Sequence, residues 1–299
     1  MKTVVFQSCR IENVPSWLSA CQESVRRWTE SQGHDYRFLD DRFFECVPEW
    51  LRHKVRNGKL PMSDYARLHH ARAFLEGGYE RAIWLDSDVV VFDPEAFSRN
   101  NGKRSFAVTR EVWLEMVDSS LLAAASSPRS LTLEEDRRLQ RLALQGGASG
   151  TGELRPHCFH QVANAVLFFD TGCALLPFYL SAIESYARDA RGPIQPIVFG
   201  PRFLTTLHQV ARFPLVRDVG MLSPLVLDDL YAGTVEHARF YMKEFAEPMS
   251  AANVCASFAG SVARGVEMTD ERYERAIRRL LDSRGACLNE LVVGPGAGG

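Results

Sequence analysis

Ala82-Ile83-Trp84-Leu85-Asp86-Ser87-Asp88-Val89-Val90-Val91-Phe92 is the stretch whose reading decides the fold. A short apolar run leads into an acidic triplet, and a second apolar run follows. Continuous apolar runs of this length, bounded by turn residues, read as buried strands. The triplet therefore sits at the carboxyl end of a strand, where α/β sheets keep their ligand sites. Two carboxylates one residue apart repel each other there unless a cation or basic groups offset them. A bare D-x-D turns up about once by chance in a chain of this length, and its bland reading is a solvated turn. The apolar flanks favour a divalent cation instead, Mn²⁺ or Mg²⁺, because hard cations take oxygen ligands.

Upstream, residues 64–76 read as a helix, with Ser63 as N-cap and Gly77-Gly78 as the stop. Tyr65, Leu68, Ala71 and Leu75 repeat at helical spacing, and Asp64 and Arg67 stand three apart in the first turn. Further back, Thr3 to Phe6 starts a strand, residues 15–32 a helix with apolar face Trp17, Leu18, Cys21, Val25 and Trp28, and Asp35 to Leu39 a second strand. A β-α-β opening favours a parallel sheet. Downstream, Ala163 to Phe169 is strand-like, Leu175 to Ala187 helical, and residues 270–283 an Arg-rich helix opened by Thr269-Asp270-Glu271. Residues 119–156 are rich in Ser, Ala, Gly and charge and read as an insertion or mobile lid. The expected organisation is one α/β domain over 1–290, with a disordered Gly/Pro-rich tail over 291–299.

The 299 residues, 46% hydrophobic with a net charge of −2, suit a globular chain and give no bulk basicity for a nucleic-acid surface. Seven scattered cysteines form no C-x-x-C pair and suit a reducing compartment. The apolar run Val4 to Phe6 is too short for a signal segment, and no stretch approaches the roughly 20 apolar residues of a membrane span. A cytoplasmic protein is expected, with peripheral membrane association left open.

Ser63-Asp64-Tyr65-Ala66-Arg67, then Gly77-Gly78, then Trp84-Leu85-Asp86-Ser87-Asp88 resembles the sugar-binding D-x-D region of glycosyltransferase family 32, which includes the Och-type mannosyltransferases. Phe6-Gln7-Ser8, Pro15-Ser16-Trp17, Trp28 and Tyr36 to Asp41 are similar to that family's opening, and Asn164-Ala165-Val166-Leu167 and Phe199 to Thr205 to its second half. The segment between Gly78 and Asp86 is longer than that family's by four residues, and with Leu85 to Val91 it looks more like glycosyltransferase family 8. Ser257-Phe258-Ala259-Gly260-Ser261-Val262 keeps an A-G-S motif but lacks the His and Trp that often accompany it.

The resemblance implies a GT-A fold, a Rossmann-like, mixed but mostly parallel sheet flanked by helices. It also implies a retaining, metal-assisted hexosyltransferase using a UDP- or GDP-sugar, with a glycan the favoured acceptor and polysaccharide synthesis the favoured role. Asp88 would coordinate the metal, and Asp86 would take the ribose or a metal-bound water. Asp64 and Arg67 would hold the donor sugar and phosphate, Phe6, Gln7, Ser8 and Ser87 would line the donor site, and Asn164 would face the reacting sugar. In such enzymes the departing diphosphate helps deprotonate the acceptor, so catalysis is mostly positioning and charge stabilisation.

Simpler readings stand beside these. The bland reading of Asp64 and Arg67 is a helix-surface pair, Asn164 reads equally as a strand-end turn residue, and Trp84 more simply as core. His69 and His70, adjacent on a helix, cannot both face one site. His157, Cys158 and His160 match no trusted zinc spacing. A haloacid-dehalogenase-type phosphohydrolase also carries D-x-D after a strand, but Gly or Thr usually follows where Val89 and Val90 stand here. The alternative from another class is a non-catalytic module that binds a nucleotide sugar or glycan on the same scaffold.

Overall fold

The structure is a computed structural model that describes residues 1–55, 58–100, 104–120 and 152–292. Strand β1 (Thr3–Ser8) pairs in parallel with β2 (Asp35–Leu39) on one side and with β3 (Arg81–Leu85) on the other. Helix α1 (Ser16–Ser31) joins β1 to β2 and buries the expected face, Trp17, Leu18, Cys21, Val25 and Trp28. Helix α2 (Leu60–Glu76) leads into β3. It starts four residues before Asp64, because Pro61 in the first turn gives up no helical hydrogen bond and presets φ. Ser63 is therefore inside the helix and is not its cap. Its hydroxyl accepts a bond from Arg67 Nη2 at 3.0 Å instead.

Past β3 the acidic turn leads to β4 (Val89–Val91) and α3 (Pro94–Asn100). Strands β5 (Phe106–Asp118) and β6 (Leu154–Asp170) pair antiparallel along their length, and β6 also pairs antiparallel with β3. Helices α4 (Leu175–Asp189) and α5 (Phe203–Ala211) precede β7 (Leu215–Val216), which lies parallel to β5. The order is β2-β1-β3-β6-β5-β7, a mixed sheet in which three of the five pairings are parallel. A smaller sheet sets β4 antiparallel to β9 (Ala251–Asn253), with β8 (Val219–Met221) parallel on β9's far side. Between β8 and β9 lie α6 (Pro224–Ala232) and α7 (Glu236–Met242), and α8 (Asp270–Asp282) follows.

Side chains alternate across the strands. Val4, Phe6, Ala82, Trp84 and Leu167 pack against Tyr65 and Leu68 of α2 and Tyr179 and Ile183 of α4. Val5, Ile83, Leu85 and Phe168 face Val25 and Trp28 of α1 and Phe97 of α3. The mostly parallel sheet with helices on both faces agrees with the sequence reading. A third core joins Trp17, Val90, Leu114, Tyr241 and Tyr273. Within it, Trp17 stacks on Tyr273 at 4.3 Å and donates to Asp270 at 2.7 Å, which ties α1 to α8.

Of the stretch read as an insertion, residues 121–151 lie outside the described residues, as does the tail from 293. Leu154–Pro156 open β6, because they pair with Asp118, Val117 and Met116. Among the described residues no helix is long and apolar enough to cross a membrane.

Candidate functional site

A register jump between β5 and β6 prepares one wall of the site. Val108 faces Leu167 and Thr109 faces Ala163, so Asn164, Ala165 and Val166 have no register partner on β5. Buried carbonyls need partners, and each of these three has one. Arg67 Nη1 donates to Asn164 O at 2.8 Å, Asp86 N to Ala165 O at 2.8 Å, and Thr109 Oγ1 to Val166 O at 2.8 Å. The irregularity thus fixes the acidic turn and Arg67 against one strand, a use of bulges common beside active sites.

Arg67 is the hub of this wall. It is 4% exposed. Its Nη1 lies 3.1 Å from Asp86 Oδ1 and its Nη2 3.5 Å from Asp64 Oδ1, while its guanidinium carbon sits 4.9 Å from the Trp84 ring centroid. Asp64 Oδ1 also accepts from Asn164 Nδ2 at 2.7 Å. Asp64, Arg67, Asp86 and Asn164, up to 100 residues apart, therefore form one network. Burial pushes the Asp64 carboxyl up to about 6, with Arg67 and Asn164 acting in the other direction. Asp86 Oδ1 accepts from Trp84 Nε1 at 2.8 Å, so Trp84 is more than a core residue. Burial raises the Asp86 carboxyl as well, against the pull of Arg67.

The opposite wall comes from the C-terminal part of the chain. Asp88 Oδ1 accepts from Asn253 Nδ2 at 2.9 Å, and Asp88 Oδ2 from Ala256 N at 2.8 Å. Between these donors Cys255 adopts φ 55°, the left-handed region that costs a non-glycine residue on the order of 1–3 kcal/mol. That conformation aims two successive N–H groups: Cys255 N donates to Asn253 Oδ1 at 2.7 Å, and Ala256 N to Asp88. Tyr273 Oη holds the turn by donating to Cys255 O at 2.9 Å. Burial, reinforced by Asp86, pushes the Asp88 carboxyl up to about 6.

Between the walls lies a cavity of about 480 Å³ lined by Ser8, Arg10, Lys59, Arg67, Trp84, Asp86, Ser87, Asp88 and Ser257, among others. Arg10 Nη2 donates to Asn13 O at 3.2 Å, and Lys59 Nζ sits 5.1 Å from the Phe44 ring centroid. Among the described residues neither cation is in an ion pair with a carboxylate. Three cations, Arg10, Lys59 and Arg67, and four carboxylates, Asp40, Asp41, Asp86 and Asp88, line the one cleft, a mixture that suits an anionic ligand accompanied by a cation.

Of the residues expected at the donor site, Ser8, Arg67, Asp86, Ser87 and Asp88 line this cavity, and Asp64 and Asn164 brace it from behind. Phe6 does not reach it. It is fully buried against Phe74 and Trp84, because strand alternation turns it into the core beneath α2. Gln7 is also fully buried; it donates from Nε2 to Asp86 O at 3.0 Å and accepts from Tyr36 Oη at 2.9 Å, so it holds the turn and touches no ligand space. His70 stacks behind the cavity-lining Phe43 and His160 lies 3.1 Å from Glu244, and neither lines the cleft. Sequence reasoning missed Arg10, Lys59, Asn253 and Ala256. Lys59 was hidden by the misplaced helix start, and the two C-terminal residues carry no local signal. Among the described residues no group of three or more His, Cys, Asp or Glu is placed to hold a metal ion.

No family model matches the chain, and no curated protein matches it. Solved structures that match include a glycosyltransferase involved in glycosylation of the major capsid of PBCV-1, at 11% identity over 93% of this chain and 99% of that one, with a TM-score of 0.42. Mouse xyloside xylosyltransferase 1 matches at 14% identity over 86% and 98%, with a TM-score of 0.40. The galactosyltransferase LgtC, solved with donor and acceptor sugar analogues, matches at 13% identity over 92% and 95%, with a TM-score of 0.40. These three structures are of glycosyltransferases, and similarity at this level assigns this chain neither a family nor an activity.

Proposed function

We propose that this chain is a GT-A-type retaining glycosyltransferase that moves a sugar from a UDP- or GDP-sugar to a hydroxyl acceptor, a glycan by preference, with help from Mn²⁺ or Mg²⁺. One observation carries the reading. Arg67, Asp86 and Asp88 of the D-x-D resemblance line one cleft at the carboxyl ends of β1 and β3, and Asp64 and Asn164 brace Arg67 from behind, at the end of the sheet where α/β proteins bind ligands.

A divalent cation fits the donor set. A carboxylate oxygen has two acceptor sites, so Asp86 and Asp88 keep capacity beyond the bonds they already accept. One or two carboxylates plus substrate phosphates are the ordinary ligands of Mg²⁺. Bound there, the cation would offset the charge that develops on the departing diphosphate. The chain's own residues do the rest. Arg10 and Lys59 attract the phosphates, Arg67 keeps Asp86 in register, and Asp64 and Asn164 form the floor on which the sugar is oriented. The cytoplasm suits the seven free thiols.

The second reading, a module that binds a nucleotide sugar without turnover, draws on the C-terminal wall, where Asn253 and Ser257 carry no ionisable group. Thermal shift with a panel of UDP- and GDP-sugars, with Mn²⁺, Mg²⁺ or chelator, tests the donor reading. The expected result is a metal-dependent stabilisation by one donor, lost in Asp88→Ala. No shift from any donor, with a stable variant, sinks it. Hydrolysis of the bound donor then separates enzyme from binder.

A further inference from the structure

We infer that the solvent face shared by α4 and α5 is a docking surface for an anionic lipid bilayer, on which the chain lies without crossing it. This surface is separate from the cleft and does not depend on the donor reading.

Ten large hydrophobic side chains are exposed among the described residues, and four of them, Phe178, Tyr186, Ile197 and Val210, fall between positions 178 and 210. Single exposed apolar residues are ordinary, whereas a gathered patch marks an interaction site. These four are gathered in space as well as in sequence. The Phe178 ring stacks on Phe203 with centroids 6.4 Å apart, which joins the outer face of α4 to the start of α5. Val210 follows Phe203 by about two turns on the same face of α5. Tyr186 meets Phe199 edge-on at 5.8 Å, next to Ile197 in the link between the helices. The polar positions among them carry no charge. The exposed residues of α4 before Arg188 are Pro177, Phe178, Ser181, Ser185 and Tyr186, and those of α5 are Thr206, Gln209, Val210 and Ala211. The outer face of a surface helix is ordinarily charged.

The charges sit at the margins, and most have one sign. From α4 through Arg217 the chain holds Arg188, Arg191, Arg202, Arg212 and Arg217, all exposed, against Glu184 and Asp189, in a protein whose net charge is −2. Glu184 is half-buried and accepts from Tyr65 Oη at 3.2 Å. Among the described residues Arg188, Arg191, Arg212 and Arg217 form no ion pair with a carboxylate. Burial, and then Arg212 and Arg217, hold the His208 imidazole below its ordinary value, as gathered positive charge does. An apolar centre with an arginine rim fits an anionic bilayer, where apolar side chains enter the headgroup boundary and each nearby cation adds attraction. A second copy docked by a twofold would set the rim against itself. The side chains also project, Val210 at 84% and Phe178 at 51% exposed, and a fluid phase takes such projections without a matching pocket.

Flotation of the full chain with vesicles of phosphatidylcholine, alone or with about 30% phosphatidylglycerol, tests this. Anionic vesicles are expected to bind the chain at least about 10-fold more tightly than neutral ones, an advantage lost in about 1 M salt. Arg212→Gln with Arg217→Gln is expected to weaken anionic binding about 10-fold or more, and Phe178→Ser with Val210→Ser about 10-fold through lost apolar burial. Both pairs should melt near the wild-type temperature. Equal binding to neutral and anionic vesicles overturns the inference, as does binding that neither pair weakens, or no binding to either vesicle. If Phe178→Ser with Val210→Ser fails to fold, the arginine pair, on exposed side chains, decides alone. A lipid-free dimer in sedimentation velocity that the same substitutions dissolve assigns the face to a second copy and overturns the lipid reading.

Discussion

The two carboxylates of the acidic turn stand one residue apart and face different walls. Asp86 meets a guanidinium at 3.1 Å, itself locked by Ser63, Asn164 and Trp84. Among the described residues Asp88 meets only neutral donors, an amide and a backbone N–H. On the first wall the chain supplies its own positive charge. On the second it supplies shape and hydrogen bonds, and the net charge is left for something from outside. A buried pair with its cation in place is costly to break from either side, whereas a carboxylate held by neutral donors is free to exchange partners.

The largest effect is expected from Arg67→Ala, which leaves the buried Asp64 and the half-buried Asp86 without their cation. It should cost about 3–5 kcal/mol in urea unfolding at pH 8. Arg67→Lys should recover little, since an ammonium lacks the planar fork. A variant as stable as wild type would break the contrast between the walls. Asp88→Ala is the mirror test: it should leave stability nearly intact while lowering donor turnover at least about 100-fold, and an unfolded variant would count against a neutral, exchangeable wall.

A smaller loss is expected from Gly200→Ala. A Cβ there would lie 3.0 Å from Asn164 Oδ1, tighter than ordinary contact. Displacing Asn164 should cost about 1–3 kcal/mol by overpacking and should weaken donor binding before it weakens folding. A pH-dependent effect, absent in acid, concerns Glu111, a buried carboxyl on β5 whose partner is the Gln161 amide. Burial pushes it up to about 7 from an ordinary value of 4.5. A carboxyl raised in the folded state contributes stability that is full below about pH 4.5 and is lost as the pH passes 7. Glu111→Gln should therefore gain on wild type in melting temperature as the pH rises from 5 to 8. A constant gap across that range would mean the site is not dry.

Strands β1 to β4 and helix α1 were legible because their signals are local: continuous apolar runs for β3 and β4, a helical stripe for α1, and a motif that marks Asp64, Arg67, Asp86 and Asp88. The start of α2 was misread because Ser63 looks like a cap and Pro61 hides the true first turn. Strand β5 went unassigned because Arg110, Glu111 and Glu115 interrupt its apolar pattern. Those charges are tolerable only through partners far along the chain, such as Arg264, whose Nε lies 2.6 Å from Glu115. Phe6 was assigned to the ligand from a resemblance, although its place in a period-2 strand points it inward. Asn253 and Ala256 were invisible for a different reason. Their role depends on the left-handed turn at Cys255 and on a strand pairing that no neighbouring residue announces.

The β4–β9 pairing also sets a schedule for synthesis. Asp88 and Asn253 are 165 positions apart, and a ribosome adding roughly 5–20 residues per second spends on the order of ten to thirty seconds between them. Throughout that interval the nascent acidic turn has its sheet neighbour β1 and lacks its second wall. The carboxylate of Asp88 waits in water, and the burial that raises its proton affinity begins only when the last sixth of the chain arrives.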